Sequence, residues 1–187
     1  DIVWTGALNS CPNELIDAIS DRYEELKNVI MIGDIPLRPY KCTNNSKYIG
    51  HIDYHTLFMG DHDRRNYKHG NVNPNIVKFS NSLITLEDTY KVNTMICEVS
   101  EPDEEGYMYF GTSGVAWNGK VAKFAKKIIV QVNKFQKKTH GWMHKIHVND
   151  VDAICRFDHE LEEYIQSDGN EDDEKIASYI LPMIEDG

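Results

Sequence analysis

The chain has 187 residues, of which 41% are hydrophobic and 10% aromatic, with a formal net charge of -10 and a pI near 5.2. This length suits one domain with a core large enough to fold without cross-links. The acidic balance argues against a nucleic-acid groove as the main function, and no apolar run reaches the roughly 18 residues needed to span a bilayer.

In chain order, Ile2 to Thr5 reads as a short strand. A loop follows from Gly6 to Cys11, and Pro12 opens a helix expected to run to about Lys27. Proline is tolerated in a first helical turn, and Asn9 or Ser10 can cap it. Leu15, Ile16, Ile19, Tyr23 and Leu26 form its apolar stripe at helical spacing. Val29 to Ile32 is a β-branched, buried-type strand, so a βαβ unit closes within the first part of the chain. Pro36 to Asn75 is less regular: Ser46 to Met59 suggests a short strand and a helical turn, and Gly60 to Pro74 reads as a polar loop.

A helix is expected within Ile76 to Leu86 and a buried strand over Thr94 to Val99. A second short strand falls near Tyr107 to Gly111, with a helix over Asn118 to Lys127 and a strand over Ile128 to Val132. Ile146 to Val148 and Ala153 to Cys155 read as short extended pieces. Glu160 to Asp173 is linker-like and acidic, and Asp172 to Ile184 a final helix. Helices alternating with apolar strands predict an α/β domain: a mainly parallel sheet flanked by helices.

The stretch from Ile96 to Gly111 concentrates the chemistry. A buried strand runs into a carboxylate-rich loop, Ser100 to Gly106, and then into Gly111-Thr112-Ser113-Gly114. Loops at the carboxyl ends of buried strands are where ligands bind in α/β proteins. A hairpin-like connection with a solvated acidic tip is the simpler reading of the same residues. Asp103, Glu104 and Glu105 could supply acid and base, but adjacent residues of one turn do not automatically flank a substrate.

The glycine-rich segment at Gly111 could offer backbone amides to an anion, yet it is no Walker loop, and both GxGxxG and GxSxG are missing. Gly70-Asn71-Val72-Asn73-Pro74 reads as a fixed turn. His140 and His144 have the spacing of two helical zinc ligands, but no glutamate completes an HExxH pattern and Gly141 opposes a helix there. The four cysteines, Cys11, Cys42, Cys97 and Cys155, form no CxxC pair and read as reduced, mostly buried thiols of a cytoplasmic-type compartment. Nothing resembles a signal peptide.

Several of these segments, in order, resemble the amino-terminal half of the acetyl-CoA hydrolase/CoA-transferase family, with 4-hydroxybutyrate and butyryl-CoA:acetate CoA-transferases most similar. Gly6-Ala7-Leu8 with Pro12, Glu25-Leu26-Lys27-Asn28-Val29 and Gly70-Asn71-Val72-Asn73 carry the first part of the resemblance. Val99-Ser100, Asp103-Glu104, Gly106-Tyr107 and Gly111 match a VSxxDExGYxxxG pattern. Val132-Asn133, Thr139-His140-Gly141 and Ile146-His147-Val148 follow, then Ile176-Ala177 and Ile184 to Gly187. Two places depart: Ala7 stands where close relatives have His, and Ser10-Cys11 where they have Gly-Glu.

The resemblance implies a CoA-transferase-like fold (the NagB/RpiA/CoA-transferase type), with residues 1–187 as the amino-terminal domain and the catalytic carboxyl-terminal domain outside this chain. It implies CoA transfer between a short-chain acyl-CoA, such as butyryl- or 4-hydroxybutyryl-CoA, and acetate. The intermediate would be a glutamyl-CoA thioester on a glutamate of the other half. No catalytic residue is then expected here, nor any metal or cofactor, since the coenzyme A thioester is a substrate. The substrate-side candidates are Gly6, Asn9, Asn71, Asn73, Ser100, Asp103 and Gly111. The expected partners are acyl-CoA, a small carboxylate, the carboxyl-terminal half and a second copy in a homo-oligomer, with neither nucleic acid nor membrane. An acetyl-CoA hydrolase half, a non-catalytic assembly domain and a histidine metal module are the alternatives.

Overall fold

Alternate residues of the buried strands feed two separate cores. Trp4, Ile32, Met95, Cys97, Val99 and Val130 point into one, and Val3, Met31, Tyr54 and Ile96 into the other. Side chains along a strand alternate between faces, so a sheet covered on both faces needs apolar residues at nearly every position. This is why the strands read as unbroken apolar runs.

The computed structural model describes residues 1–114, 117–163 and 168–185. Its strands are β1 (Ile2–Ala7), β2 (Val29–Asp34), β3 (Ile52–Thr56), β4 (Asn73–Pro74), β5 (Thr94–Val99), β6 (Tyr107–Tyr109), β7 (Lys127–Val132), β8 (Lys145–His147) and β9 (Ala153–Arg156). Seven of them form one sheet in the order β4-β3-β2-β1-β5-β7-β9, with every pairing parallel. β6 and β8 make a small antiparallel pair beside it. The helices are α1 (Asn13–Asp21), α2 (Asp61–Asn66), α3 (Ser82–Ile84), α4 (Gly111–Gly114), α5 (Asn118–Phe124) and α6 (Glu171–Ile180).

α1 covers one face through Ile16, which is fully buried with Leu15 and Ile19 beside it. α5 covers the other through Val121. α5 is also pinned by a buried hydrogen bond of 2.8 Å, in which the Trp4 indole Nε1 donates to Asn118 Oδ1. The α/β class and mainly parallel sheet are as expected, and β5 occupies the expected residues.

Several elements differ from the expectation. The first helix ends at Asp21, and a 3-10 turn, Tyr23–Glu25, leads to Asn28 in the left-handed region at φ 53°. Gly60 to Pro74 is not a plain loop: it holds α2 and the 3-10 turn Tyr67–His69. α2 shows no apolar stripe because its one buried side chain is Asp63, whose Oδ2 accepts from Gly60 N at 3.1 Å. The helical stretch expected within Ile76 to Leu86 starts at Phe79 and runs on through a π-turn to Thr89. The expected match at Asp186-Gly187 lies outside the described residues.

Candidate functional site

The strand order reverses between β1 and β5: from β1 the chain builds outward through β2, β3 and β4, then returns to add β5, β7 and β9 on the other side. At such a switch point the loops leaving neighbouring strands part in opposite directions and leave a crevice at the carboxyl ends. Two of the loops singled out from sequence, Gly6 to Ser10 after β1 and Ser100 to Gly106 after β5, flank that crevice.

Local geometry explains the first loop. Gly6 has φ +78°, and a Cβ there would lie 2.6 Å from the Ser10 carbonyl oxygen, so glycine is required on both counts. The strand register shifts between Trp4 and Ala7, which turns the chain at the strand end. Ser10 Oγ then closes the turn, donating to Ala7 O at 2.7 Å and accepting from Ala7 N at 3.0 Å. α4, opened by Gly111 at φ +76°, packs on the 3-10 turn Leu8–Ser10. Gly111 is held from the far side: a Cβ would run into the Gln136 side chain, and Thr139 Oγ1 donates to the Gly111 carbonyl at 3.0 Å.

In the acidic loop the side chains serve their own turn. Ser100 is buried, its Oγ donating to Glu101 O at 2.9 Å and accepting from Tyr109 N at 3.0 Å. Asp103 accepts from Glu105 N, Tyr107 N and the Tyr109 hydroxyl at 3.1, 2.8 and 2.9 Å. The Tyr107 amide is the main reason its carboxyl is held below the ordinary aspartate value. Glu104 and Glu105 are exposed. The loop folds back as a hairpin does, with Ser100 N donating to Tyr109 O and Asp103 N to Tyr107 O, yet β6 takes β8 as its strand partner.

The structure therefore places Gly6 and Asn9 at the end of β1, Ser100 at the end of β5 and Gly111 at the start of α4, which packs on the Leu8–Ser10 turn, with Asp103 in the loop after β5. Asn71 and Asn73 lie elsewhere. Asn71 Nδ2 donates to Cys42 O and to Ile52 O at 2.7 and 2.8 Å, at the amino end of β3. Asn73 Nδ2 donates to Tyr54 O at 2.9 Å on the edge strand. The His140 and His144 rings are 6.1 Å apart, and among the described residues no group of three or more His, Cys, Asp or Glu side chains is gathered as metal ligands would be.

Sequence reasoning passed over the residue beneath the crevice. Glu98 on β5 is fully buried. Its Oε2 accepts from Gln131 Nε2 and faces His159 Nε2, each at 2.7 Å. Its Oε1 accepts from Asn133 Nδ2 at 3.0 Å and Gln136 Nε2 at 3.1 Å. A buried carboxylate persists only when met by donors. Burial pushes its pKa up, and the bonds from Asn133, His159 and Gln131 oppose that rise. One acid inside an otherwise apolar strand was the available signal. Its partners could not be read, because they come from β7, the turn after it and the segment beyond β9.

A mainly parallel α/β sheet with polar strand-end turns around a switch-point crevice is the class of protein these features define. Solved structures share the fold. RipA from Yersinia pestis superposes with a TM-score of 0.87 at 21% identity, covering 100% of this chain and 45% of that one. A 4-hydroxybutyrate CoA-transferase from Porphyromonas gingivalis gives 0.60 at 21% identity, covering 89% and 37%.

Residues 2–166 match the acetyl-CoA hydrolase/transferase N-terminal domain, and the chain belongs to that family. It is 32% identical over 178 residues to the succinyl-CoA:cyclohexane-1-carboxylate CoA transferase of Geobacter metallireducens, covering 94% of this chain and 39% of that protein. Over 101 residues it is 35% identical to the 4-hydroxybutyrate coenzyme A transferase of Clostridium kluyveri, covering 54% and 23%. The chain thus spans about two fifths of the Geobacter relative.

Proposed function

We propose that this chain is the amino-terminal half of an acyl-CoA:carboxylate CoA-transferase acting on short-chain acyl groups such as butyryl or 4-hydroxybutyryl, with acetate as partner acid. The observation that carries the reading is the match of residues 2–166 to the acetyl-CoA hydrolase/transferase N-terminal domain, in a chain whose relatives are CoA transferases about two and a half times its length; the turns bearing Gly6, Asn9, Ser100 and Gly111 at the β1–β5 switch point support it.

In this reading a glutamate of the carboxyl-terminal half attacks the thioester carbonyl and CoA thiolate leaves, giving an acyl-glutamyl anhydride. The thiolate then attacks the glutamyl carbonyl, the acyl group departs as free acid, and CoA rests as a glutamyl thioester. Reversal with the second carboxylate completes the exchange. The present half walls the acyl and carboxylate side of the cleft. Its turns at Gly6–Ser10 and Gly111 keep backbone close to the reacting carbonyl, where preorganised amides stabilise tetrahedral states. Asp103 shapes the neighbouring wall, whereas Asn71 and Asn73 brace the distant β3–β4 edge and take no part in it.

The test is a CoA-exchange assay between butyryl-CoA and acetate, run on the 187-residue chain alone and on the chain joined to a carboxyl-terminal half. The expected result is turnover, with a glutamyl-CoA adduct trapped by borohydride, in the joined protein only. Turnover by the chain alone near the rate of the joined protein would overturn the assignment. Free acid released without acceptor consumption would identify a hydrolase instead.

A further inference from the structure

Each group bonded to Glu98 also holds a second segment of the chain. Gln136 Nε2 also donates to the Asn9 carbonyl at 2.7 Å. Gln131 Oε1 accepts from Leu15 N in the first turn of α1 at 3.1 Å. Asn133 Nδ2 donates to His159 O at 2.9 Å, and its Oδ1 accepts from His159 N at 3.3 Å. Asn9 Nδ2 donates to Glu162 O at 3.1 Å. The result is a closed ring: Glu98 to Gln136, to Asn9, to Glu162, back along the chain to His159, and to Glu98 again. The segment from Phe157 to Glu163 is thereby tied across the carboxyl ends of β7, β5 and β1.

The ring contains one proton whose position matters. His159 Nδ1 lies 2.8 Å from the Glu160 carbonyl, which only accepts, and Nε2 lies 2.7 Å from the Glu98 carboxyl. With one proton shared between His159 and Glu98, both contacts are satisfied. When that proton is lost, a neutral imidazole has a single N–H for two acceptors, and one contact becomes a lone-pair repulsion.

We propose that Glu98 is a positioning residue for the crevice, acting through Gln136 on the Asn9 turn and through His159 on the Phe157–Glu163 segment, so that the ring holds while the pair keeps its proton and opens when it is lost. This rests on the reading of the crevice as the substrate wall. The other charged groups facing the pair are few. Arg38 acts on His159 but is itself paired with Glu14 and Asp17, and Lys134 is paired with Asp158. The thiols of Cys11, Cys97 and Cys155 stand near Glu98 and are pushed up by burial. His159 is buried enough to lose protons early, yet the bond and charge of Glu98 hold it above the ordinary histidine value.

The experiment is a pH titration of the 187-residue chain by NMR, following the His159 ring and the amides of Asn9, Ser10 and Leu15. The expected result is one shared midpoint above the ordinary histidine value, with protease cleavage within Phe157–Glu163 accelerating several-fold as pH passes it. In Glu98→Gln the His159 midpoint falls and the Asn9 and Leu15 amides cease to follow it. His159→Gln, at a partly exposed position, removes the shared titration while the fold persists. Titration of His159 with no response at Asn9 or Leu15 would overturn the proposal. Absence of CoA transfer by the joined protein would instead overturn the proposed function, since the NMR coupling is measured without it.

Discussion

At the residue scale, the positions that shape the crevice are those where backbone and side chain leave no alternative. Gly6→Ala meets both a left-handed φ and the Ser10 carbonyl at 2.6 Å. The expected cost is about 1–3 kcal/mol, read as a lowered denaturant midpoint, with the Ser10 turn displaced. Asp34, at the end of β2, is a different kind of strain. It is buried with Oδ1 unpartnered. Burial, opposed by the Trp117 indole and helped by the charge of Asp63, raises its carboxyl to about 7. Asp63 is itself raised to about 6, mainly by burial. A pKa raised in the fold contributes stability below the unfolded value near 3.8, and that contribution is lost as pH rises through about 7. Asp34→Asn is therefore expected to stabilise the chain at pH 8 by on the order of 1–3 kcal/mol, and by almost nothing near pH 4. Denaturant unfolding of both proteins at the two pH values checks the sign.

Among the elements, α6 stands apart. Its side chains are exposed throughout, Ile176, Tyr179 and Ile180 included, and Met183 just after it is 79% exposed. Without burial, a helix of ten residues depends on its ends. Asn170 supplies the cap, its Oδ1 accepting from Asp172 N at 2.8 Å and Asp173 N at 3.2 Å, while Asp173 Oδ2 accepts from Asn170 N at 2.9 Å. Asn170→Ala is expected to cost this helix about 1 kcal/mol, enough to lower its helical chemical shifts while the sheet stays intact. In the proposed reading, the carboxyl-terminal half covers the apolar side chains along α6. The chain alone is accordingly expected to self-associate, and removing residues after Asp168 to restore a monomer in light scattering. A monomeric chain with α6 present would count against that partner.

For the whole molecule, the seven-stranded parallel sheet is the platform that brings all its strand-end loops to one side. Trp4→Phe, which removes the indole donor to Asn118 and leaves a buried acceptor unpaired, is expected to cost about 1–3 kcal/mol by thermal or denaturant unfolding without moving the crevice turns. Much of this architecture was legible beforehand. Unbroken apolar runs marked the buried strands, and the order of short motifs marked the family. α2 was not legible, since its burial runs through Asp63 and leaves no apolar period. Neither was the Glu98 ring, whose members His159 and Gln136 lie 61 and 38 residues from Glu98 in the chain. The sequence by itself determined the apolar strands and the mainly parallel α/β class, because these follow from local sterics and period. Only the tertiary structure decided which loops meet at the β1–β5 crevice, that Asn71 and Asn73 do not, and that a buried carboxylate ties the crevice together. Those outcomes depend on strand order and on donors brought together from distant segments, and neither is a property of any local stretch.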